Sequence, residues 1–182
     1  MSYVDLHVHS NASDGTLSPE QVVRLAHEAG LSAIALTDHD TTAGVAGAAE
    51  AGAELGLEVV PGIEVSSSFR DHEIHILGLF VDTDSPSLQA ALKEFRHHRD
   101  QRNQEMLGRF DAHGIHLTAE DLCAGNPDTV ITRAHVARAL LAKGLGPDLD
   151  HIFKKYLQYG GIYCPPKEFL PPEAVMEALL DS

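Results

Sequence analysis

The chain has 182 residues, a formal net charge of −14 and a pI near 5.1, which disfavours a broad electrostatic footprint for nucleic acid because such surfaces rest on many Lys and Arg contacts. Its hydrophobic share of 43% and charged share of 22% match soluble globular proteins, which excludes wholesale disorder. No apolar run approaches the roughly 20 residues needed to cross a bilayer, and the opening Met-Ser-Tyr-Val-Asp-Leu-His lacks the features of a secretory signal, so a cytoplasmic protein with no membrane partner is expected.

Tyr3 to His9 (YVDLHVH) alternates apolar and polar residues with the period of two that marks a strand. Ser18-Pro19-Glu20-Gln21 offers an N-cap, a Pro at the first helical position and a capping-box Gln, which predicts a helix ending at Gly30. Ser32 to Thr37 (SAIALT) suits a buried parallel strand, and an Ala-rich helix led by Thr41-Thr42 stops at Gly56. Leu57 to Ile63 (LEVVPGI) and Ile74 to Val81 (IHILGLFV) read as a third and a fourth strand. This βαβα order predicts an α/β fold, a parallel sheet flanked by helices, either as an open layer or as a closed barrel.

From Asp84 to about Tyr159 the signals are helical. Pro86 starts a long charged helix that runs to about His113 before Gly114, a second follows Thr118, a third spans Arg133 to Lys143, and a fourth covers Asp148 to Tyr159. The expected organisation is residues 1–83 as the first part of an α/β domain, residues 84–160 as a helical insertion, and residues 161–182 as the return to the α/β domain. Pro172 starts a last helix that the end of the sequence cuts off at Ser182.

Twelve histidines are the compositional oddity. Cys123 and Cys164 lie outside any CxxC spacing and are expected to be reduced thiols, not disulfide partners or thiolate zinc ligands. The candidate ligands fall at the C-terminal ends of predicted strands or in the loops just after them, where barrels and open sheets place their sites. His7 and His9 are on one strand face, Asp14 follows in the next loop, His39 lies in Thr37-Asp38-His39-Asp40, Glu64 ends the third strand and His75 lies on the fourth. Asp38 and Asp40 could instead cap the following helix, Asp40 in particular. A carboxylate directly after Val-Val-Pro-Gly-Ile is costly unless paired or metal-bound. Nitrogen and oxygen ligands without thiolate suit Mn²⁺, Fe²⁺ or Zn²⁺.

The runs DLHVHS (Asp5 to Ser10), Asp14-Gly15-Thr16, LTDHD (Leu36 to Asp40), GIEVS (Gly62 to Ser66) and HILG (His75 to Gly78), in that order, resemble the polymerase-and-histidinol-phosphatase (PHP) family of metal-dependent phosphoesterases. Within it the chain is similar to bacterial phosphatases that act on nucleoside 3′,5′-bisphosphates or trim 5′ nucleotides from short RNA. The resemblance implies a distorted (β/α)7 barrel with a helical insertion, and a nucleotide or short oligonucleotide as substrate. It implies two or three divalent ions, Mn²⁺ first and Zn²⁺ or Fe²⁺ as alternatives. His7, His9 and Glu64 would hold one, Asp14 and His39 a second, and Glu64 bridging with His75 a third.

In the insertion, Arg99 and Arg102 of HRDQRN and Arg133 of ITRAH resemble residues that grip the substrate phosphate, with His135 assisting. Arg99 and Arg102 share a helical face, and guanidinium forks suit phosphate oxygens; the alternative for this pair is a solvated charged helix. His97, His98, His113, His116 and His151 are expected in surface or packing roles. The implied chemistry is in-line attack by metal-activated hydroxide, with no catalytic residue separate from the metal ligands.

The family contributes two further motifs after the insertion, an Ala-His-Pro-type histidine and a late Asp-x-His pair, and the sequence given reaches Ser182 with neither. The expectation is therefore a fragment lacking its C-terminal part, in which each ion lacks one family ligand and the barrel is incomplete. This keeps open a metal- and phosphate-binding fragment with little or no turnover, or a half whose exposed sheet edge favours self-association. A hydrolase of a non-phosphate substrate such as an amide is a third reading, and it leaves the arginines without a role.

Overall fold

The structure, a computed structural model, describes residues 3–70, 72–123, 126–166 and 170–182. The chain divides into two compact units, Met1–Phe95 with Phe169–Ser182, and Arg96–Glu168.

The first unit is built on a four-stranded sheet in the order β1 (Tyr3–Val8), β2 (Leu31–Leu36), β3 (Glu58–Phe69) and β4 (His72–Leu79). Helix α1 (Pro19–Glu28) joins β1 to β2 and α2 (Val45–Leu55) joins β2 to β3. Both of these strand pairs are parallel, as a helical crossover requires. The expectation of a wholly parallel sheet fails at β4, which runs antiparallel to β3. Only residues 70 and 71 separate the two strands, far fewer than the dozen or so a parallel crossover needs, and Arg70 turns the chain with φ 49°. Strand β3 also runs on to Phe69 instead of ending at Glu64. Ser66, Ser67 and Ser68 break the apolar signature while their main chains go on pairing with His75, Ile74 and Glu73.

The helices form where capping and apolar spacing agree. The Ser18 side chain accepts from the Gln21 N–H, Gln21 Oε1 accepts from the Ser18 N–H, and Pro19 occupies the first turn. Helix α1 then turns Val22, Val23 and Ala26 inward, packed in one core with Ile34 and Leu36 of β2 and Ala48 of α2. Full burial of side chains such as Ile34 and Leu36 contributes roughly 1.5–3 kcal/mol each. A second core gathers Ile63 and Val65 of β3, Leu88 and Leu92 at the start of α3 (Pro86–Ala112), and Val175 of α7 (Pro172–Leu180). Ser67 Oγ donates to the Leu170 carbonyl at 2.7 Å, tying β3 to the approach of α7. Strand β1 is an edge, with Tyr3, Val4 and Leu6 exposed.

The second unit comprises the rest of α3 with α4 (Ala119–Cys123), α5 (Arg133–Ala142) and α6 (Leu149–Tyr156). Its core centres on Met106, Phe110, Leu122, Val136, Leu140 and Ile152, and no strand occurs among its described residues. Neither Cys123 nor Cys164 is in a disulfide among the described residues. Among the described residues no helix is long and apolar enough to cross a membrane.

Candidate metal centre

The site grows out of the carboxyl ends of β1 and β2 and the middle of β3. Beyond Val8 the chain enters a tight loop that Asp38 organises from the end of β2. This carboxylate, 1% exposed, accepts from the Ser10 N–H at 2.8 Å, from Ser10 Oγ at 2.6 Å and from Ser13 Oγ at 2.6 Å. Gly15 donates its N–H to the Ser10 carbonyl at 2.8 Å, and a Cβ on it would lie 2.5 Å from the His9 carbonyl oxygen, so only glycine lets the loop close this tightly.

Neither Asp38 nor Asp40 caps a helix, contrary to the alternative reading of the sequence. Asp38 is engaged with the loop after β1, whereas α2 starts only at Val45 with Gly44 as an N-cap that makes no side-chain bond. Asp40 has φ 52° and donates its N–H to the Glu64 carbonyl at 3.0 Å. Gly62 allows β2 and β3 to approach, because a Cβ there would meet Thr37 Cγ2 at 2.8 Å and the Leu36 carbonyl oxygen at 2.9 Å. A parallel bridge between His39 and Glu64 extends the pairing just past that point.

The side chains converge on Glu64, whose side chain is 4% exposed. His7 Nε2, His9 Nε2 and Glu64 Oε2 form a triangle with edges of 3.1, 3.2 and 2.9 Å. Asp14 spans two rings, with Oδ1 2.8 Å from His9 Nδ1 and Oδ2 3.4 Å from His39 Nε2. His75 lies diagonally across the β3–β4 pair from Glu64, a spacing that brings side chains on one sheet face together, and its Nδ1 is 2.6 Å from Glu64 Oε1. The rings of His7, His9, His39 and His75 follow one another at centroid separations of 5.1, 4.8 and 5.2 Å.

Three overlapping groups could hold an ion: His7, His9 and Glu64; His9, Asp14 and His39; and His39, Glu64 and His75. The chemistry of the donors fits divalent metal. Lone-pair atoms about 3 Å apart have the spacing of neighbouring ligands at about 2.1 Å from one ion. His39 Nδ1 is buried with no hydrogen-bond partner, although Glu64 Oε2 lies 3.4 Å away; the contact is electrostatic and poorly aligned. A neutral imidazole offers one lone pair, so His9 can serve only one group. With its Nδ1–H given to Asp14, that lone pair is at Nε2, beside His7 and Glu64.

The histidines and carboxylates of the cluster shift one another's proton affinities. Burial opposes a charge on His9, yet hydrogen bonds to Asp14 and Glu64 outweigh it and raise its pKa from 6.5 to about 10. Burial likewise disfavours charge on Asp14 and Glu64, but His39 and His9 beside the former, and His75 and His9 beside the latter, pull both below the usual carboxylate range. Glu64 and then Glu73 raise His75 to about 9. Glu73, with Oε1 3.4 Å from His75 Nε2, was not singled out from the sequence, nor were Ser10 and Ser13. Glu73 is two residues before His75 and so on the same strand face, which was the available signal.

The remaining candidates lie in the helical unit. Arg99 and Arg102 are buried, at 8% and 9% exposure, and not on a solvated face. Burial, then the neighbouring charges of Arg99 and Arg133, lower the pKa of Arg102. Its Nη2 donates to Asn103 Oδ1 at 3.1 Å, and its Nε is buried without a hydrogen-bond partner. Arg133 opens α5, donates from Nη1 to the Leu157 carbonyl at 3.3 Å, and has its Cζ 3.8 Å from the centre of the Tyr159 ring. His135 is buried and completes the capping box of α5, its Nδ1 accepting from the Thr132 N–H at 3.0 Å, which puts the proton of the neutral ring on Nε2. His97, His98, His113, His116 and His151 are all exposed.

A partly parallel sheet of (β/α)-barrel type that gathers histidines and carboxylates at the strand ends defines a metal-binding α/β protein. The PHP domain model matches residues 5–162, and the chain belongs to that family. It is 40% identical over 162 residues to a 3′,5′-nucleoside bisphosphate phosphatase of Chromobacterium violaceum, a match covering 88% of this chain and 56% of that protein. It is also 40% identical over 169 residues to a 5′-3′ exoribonuclease of Escherichia coli, covering 90% of this chain and 57% of that one. The chain thus spans little more than half the length of these curated relatives. Among solved structures, an amidohydrolase from Chromobacterium violaceum with bound sulfate and no metal superposes with a TM-score of 0.90 at 36% identity, over 98% of this chain and 63% of that one. A candidate metal-dependent phosphoesterase from Bifidobacterium adolescentis gives a TM-score of 0.90 at 30% identity, with the same coverage of 98% and 63%.

Proposed function

We propose that the chain is the metal-binding and phosphate-gripping part of a phosphoesterase that hydrolyses phosphate esters of nucleotides, either nucleoside 3′,5′-bisphosphates or the 5′ end of short RNA. The observation that carries this reading is the buried Glu64 carboxylate surrounded by His7, His9, His39 and His75, with His39 Nδ1 left without a hydrogen-bond partner. The phosphatase and exoribonuclease names of the relatives support the choice of substrate class.

In this reading His7, His9 and Glu64 hold one ion, Asp14 and His39 a second, and Glu64 with His75 a third. Divalent ions, with Mn²⁺ preferred and Zn²⁺ or Fe²⁺ as alternatives, supply Lewis acidity and a water of lowered pKa. The chain's own residues do the positioning. Asp14 fixes the His9 ring through Nδ1, Glu64 neutralises the charge brought into its buried pocket, and Asp38 keeps the loop that carries Asp14 in place. Residues 84–160 act as the inserted phosphate-gripping domain of an α/β domain formed by residues 1–83 and 161–182. There Arg99, Arg102 and Arg133, assisted by His135, present donors in the fork geometry that matches phosphoryl oxygens. Such a protein works in the cytoplasm on a soluble nucleotide or short oligonucleotide.

Two other readings have an observation in their favour. Coverage of little more than half of each curated relative suits a metal- and phosphate-binding fragment with little turnover. The naming of one structural neighbour as an amidohydrolase suits amide hydrolysis, though that chemistry gives three clustered arginines no role. Metal content after dialysis, paired with Mn²⁺-dependent phosphate release from adenosine 3′,5′-bisphosphate, separates the three. Bound metal with phosphate release supports the phosphoesterase, bound metal without turnover supports the fragment, and turnover of amides alone supports the last.

A further inference from the structure

Asn103 follows Arg102 in the HRDQRN run, and both side chains are buried. Successive residues on a helix do not face each other, so the long Arg102 side chain must swing round to bring Nη2 to Asn103 Oδ1 at 3.1 Å. The same amide donates from Nδ2 to the Ile131 carbonyl at 2.9 Å. These partners fix which way the amide points, because a carbonyl oxygen can only accept and a guanidinium can only donate. A carboxylate could not donate to Ile131, and an aliphatic side chain of the same size could serve neither partner. Ile131 directly precedes Thr132, the N-cap of α5, and Arg133 is the first residue of that helix. Asn103 therefore joins α3, at the point where it carries Arg102, to the chain that leads into Arg133. Burial and the charges of Arg99 and Arg133 disfavour the charge on Arg102, while Tyr159 and Cys164 favour it. A neutral amide oxygen orients this guanidinium without neutralising it, whereas a carboxylate in its place would compete with a phosphate for the fork.

From this geometry we infer that Asn103 is a positioning residue for the phosphate grip: its amide oxygen presets the Arg102 guanidinium while its amide N–H ties α3 to the chain entering α5. The inference rests on the proposed role of Arg102 as a phosphate ligand, and it deepens that reading by naming what holds the ligand. A guanidinium held in advance loses less side-chain entropy on binding than one that must first be immobilised. Arg102 Nε is buried without a hydrogen-bond partner, and a buried donor left in that state costs free energy until an acceptor arrives. Asn103 touches no reacting atom; it acts through Arg102.

The test is a double-mutant cycle read by calorimetric titration of adenosine 3′,5′-bisphosphate into the full chain, with metals removed by chelator so that anion affinity is read apart from turnover. Asn103→Ala is expected to weaken binding roughly 2- to 10-fold, the entropy lost when one long side chain is immobilised at the moment of binding. In the Arg102→Ala background the same change should have little further effect, since residues that act through one another are not additive. A merely structural Asn103 would instead weaken the parent and the Arg102→Ala protein by the same factor, and that result would overturn the inference. If Asn103→Ala fails to fold, the parent protein decides. NMR relaxation of the Arg102 Nε–H in the ligand-free chain should then show the order of a rigid backbone site, and a mobile Nε–H would count against Asn103. Weaker binding in Arg102→Ala with unchanged binding in Asn103→Ala would also overturn the inference, and leave the phosphate role of Arg102 standing. Unchanged binding in Arg102→Ala would overturn that role, and the inference with it.

Discussion

His39 and Glu64 are locked to each other through their main chains before either side chain meets a ligand. The Glu64 N–H donates to the Asp38 carbonyl at 3.2 Å and the Glu64 carbonyl accepts from the Asp40 N–H at 3.0 Å, forming a parallel bridge between the two residues. Two candidate ligands from different strands therefore have their backbones fixed in register. Glu64 belongs to two of the three candidate groups, whereas His7 belongs to one. Glu64→Gln is accordingly expected to remove more bound metal than His7→Ala, and to exceed the roughly 10- to 100-fold loss of affinity typical of changes outside the ligand shell. Elemental analysis after dialysis measures this; equal metal content in the two variants would refute the central place given to Glu64.

Asp38 yields a prediction about stability. It accepts three hydrogen bonds while buried, and asparagine would put an amide donor against a cluster of donors. Asp38→Asn is expected to cost about 2–4 kcal/mol, from charged hydrogen bonds lost and buried donors left unsatisfied. It should also weaken metal binding, because the loop it holds carries Asp14. Urea unfolding of the metal-free protein reads the first effect. A variant as stable as the parent would mean that the loop holds itself.

The proton inventory of the cluster sets a pH dependence. His9 has its pKa raised from 6.5 to about 10 and His75 to about 9, so their stabilising contribution is complete below pH 6.5 and is lost as pH rises through those raised values. Asp14 and Glu64 are lowered, so theirs is present above the ordinary carboxylate range and is lost as pH falls through the lowered values. Metal requires the imidazoles deprotonated, so binding near neutral pH should release roughly one to two protons per chain and tighten as pH rises toward 9. Calorimetry in buffers of different ionisation enthalpy counts these protons; identical heats in all buffers would show that the rings are already neutral.

How far the sequence reveals this site depends on what kind of signal each residue leaves. The His7/His9 pair, α1 with its Ser18–Gln21 capping box, and α2 ending at Gly56 are local patterns, and the structure has them. The antiparallel β4 was hidden because strand direction depends on the length of a connection, and that length was misread when Ser66-Ser67-Ser68 ended the apolar run. The role of Asp38 was left open for a related reason. Its partners Ser10 and Ser13 are 25 or more residues away in sequence, and an Asp after a buried strand looks the same whether it caps a helix or fastens a distant loop. The burial of Arg99 and Arg102 was equally invisible, since α3 is too charged along its length for periodicity to mark a buried face.

The proposed phosphate role of Arg133 can be tested apart from metal binding. Its guanidinium lies in the helical unit, against Tyr159 and the Leu157 carbonyl, while every residue of the three candidate metal groups is in the α/β unit. Arg133→Ala should therefore leave metal content at the level of the parent. It should weaken nucleotide binding by roughly 10- to 100-fold, the range for charge-assisted hydrogen bonds to phosphate of about 1.5–3 kcal/mol. Arg133→Lys should recover only part of this, because an ammonium keeps the charge but not the planar fork or its stacking on an aromatic face. Nucleotide titration and metal analysis on the same preparations decide the matter. If metal and nucleotide affinity fall together, Arg133 supports the fold and not the phosphate. If the Lys variant binds like the parent, the grip needs charge alone and the fork geometry has no part in it.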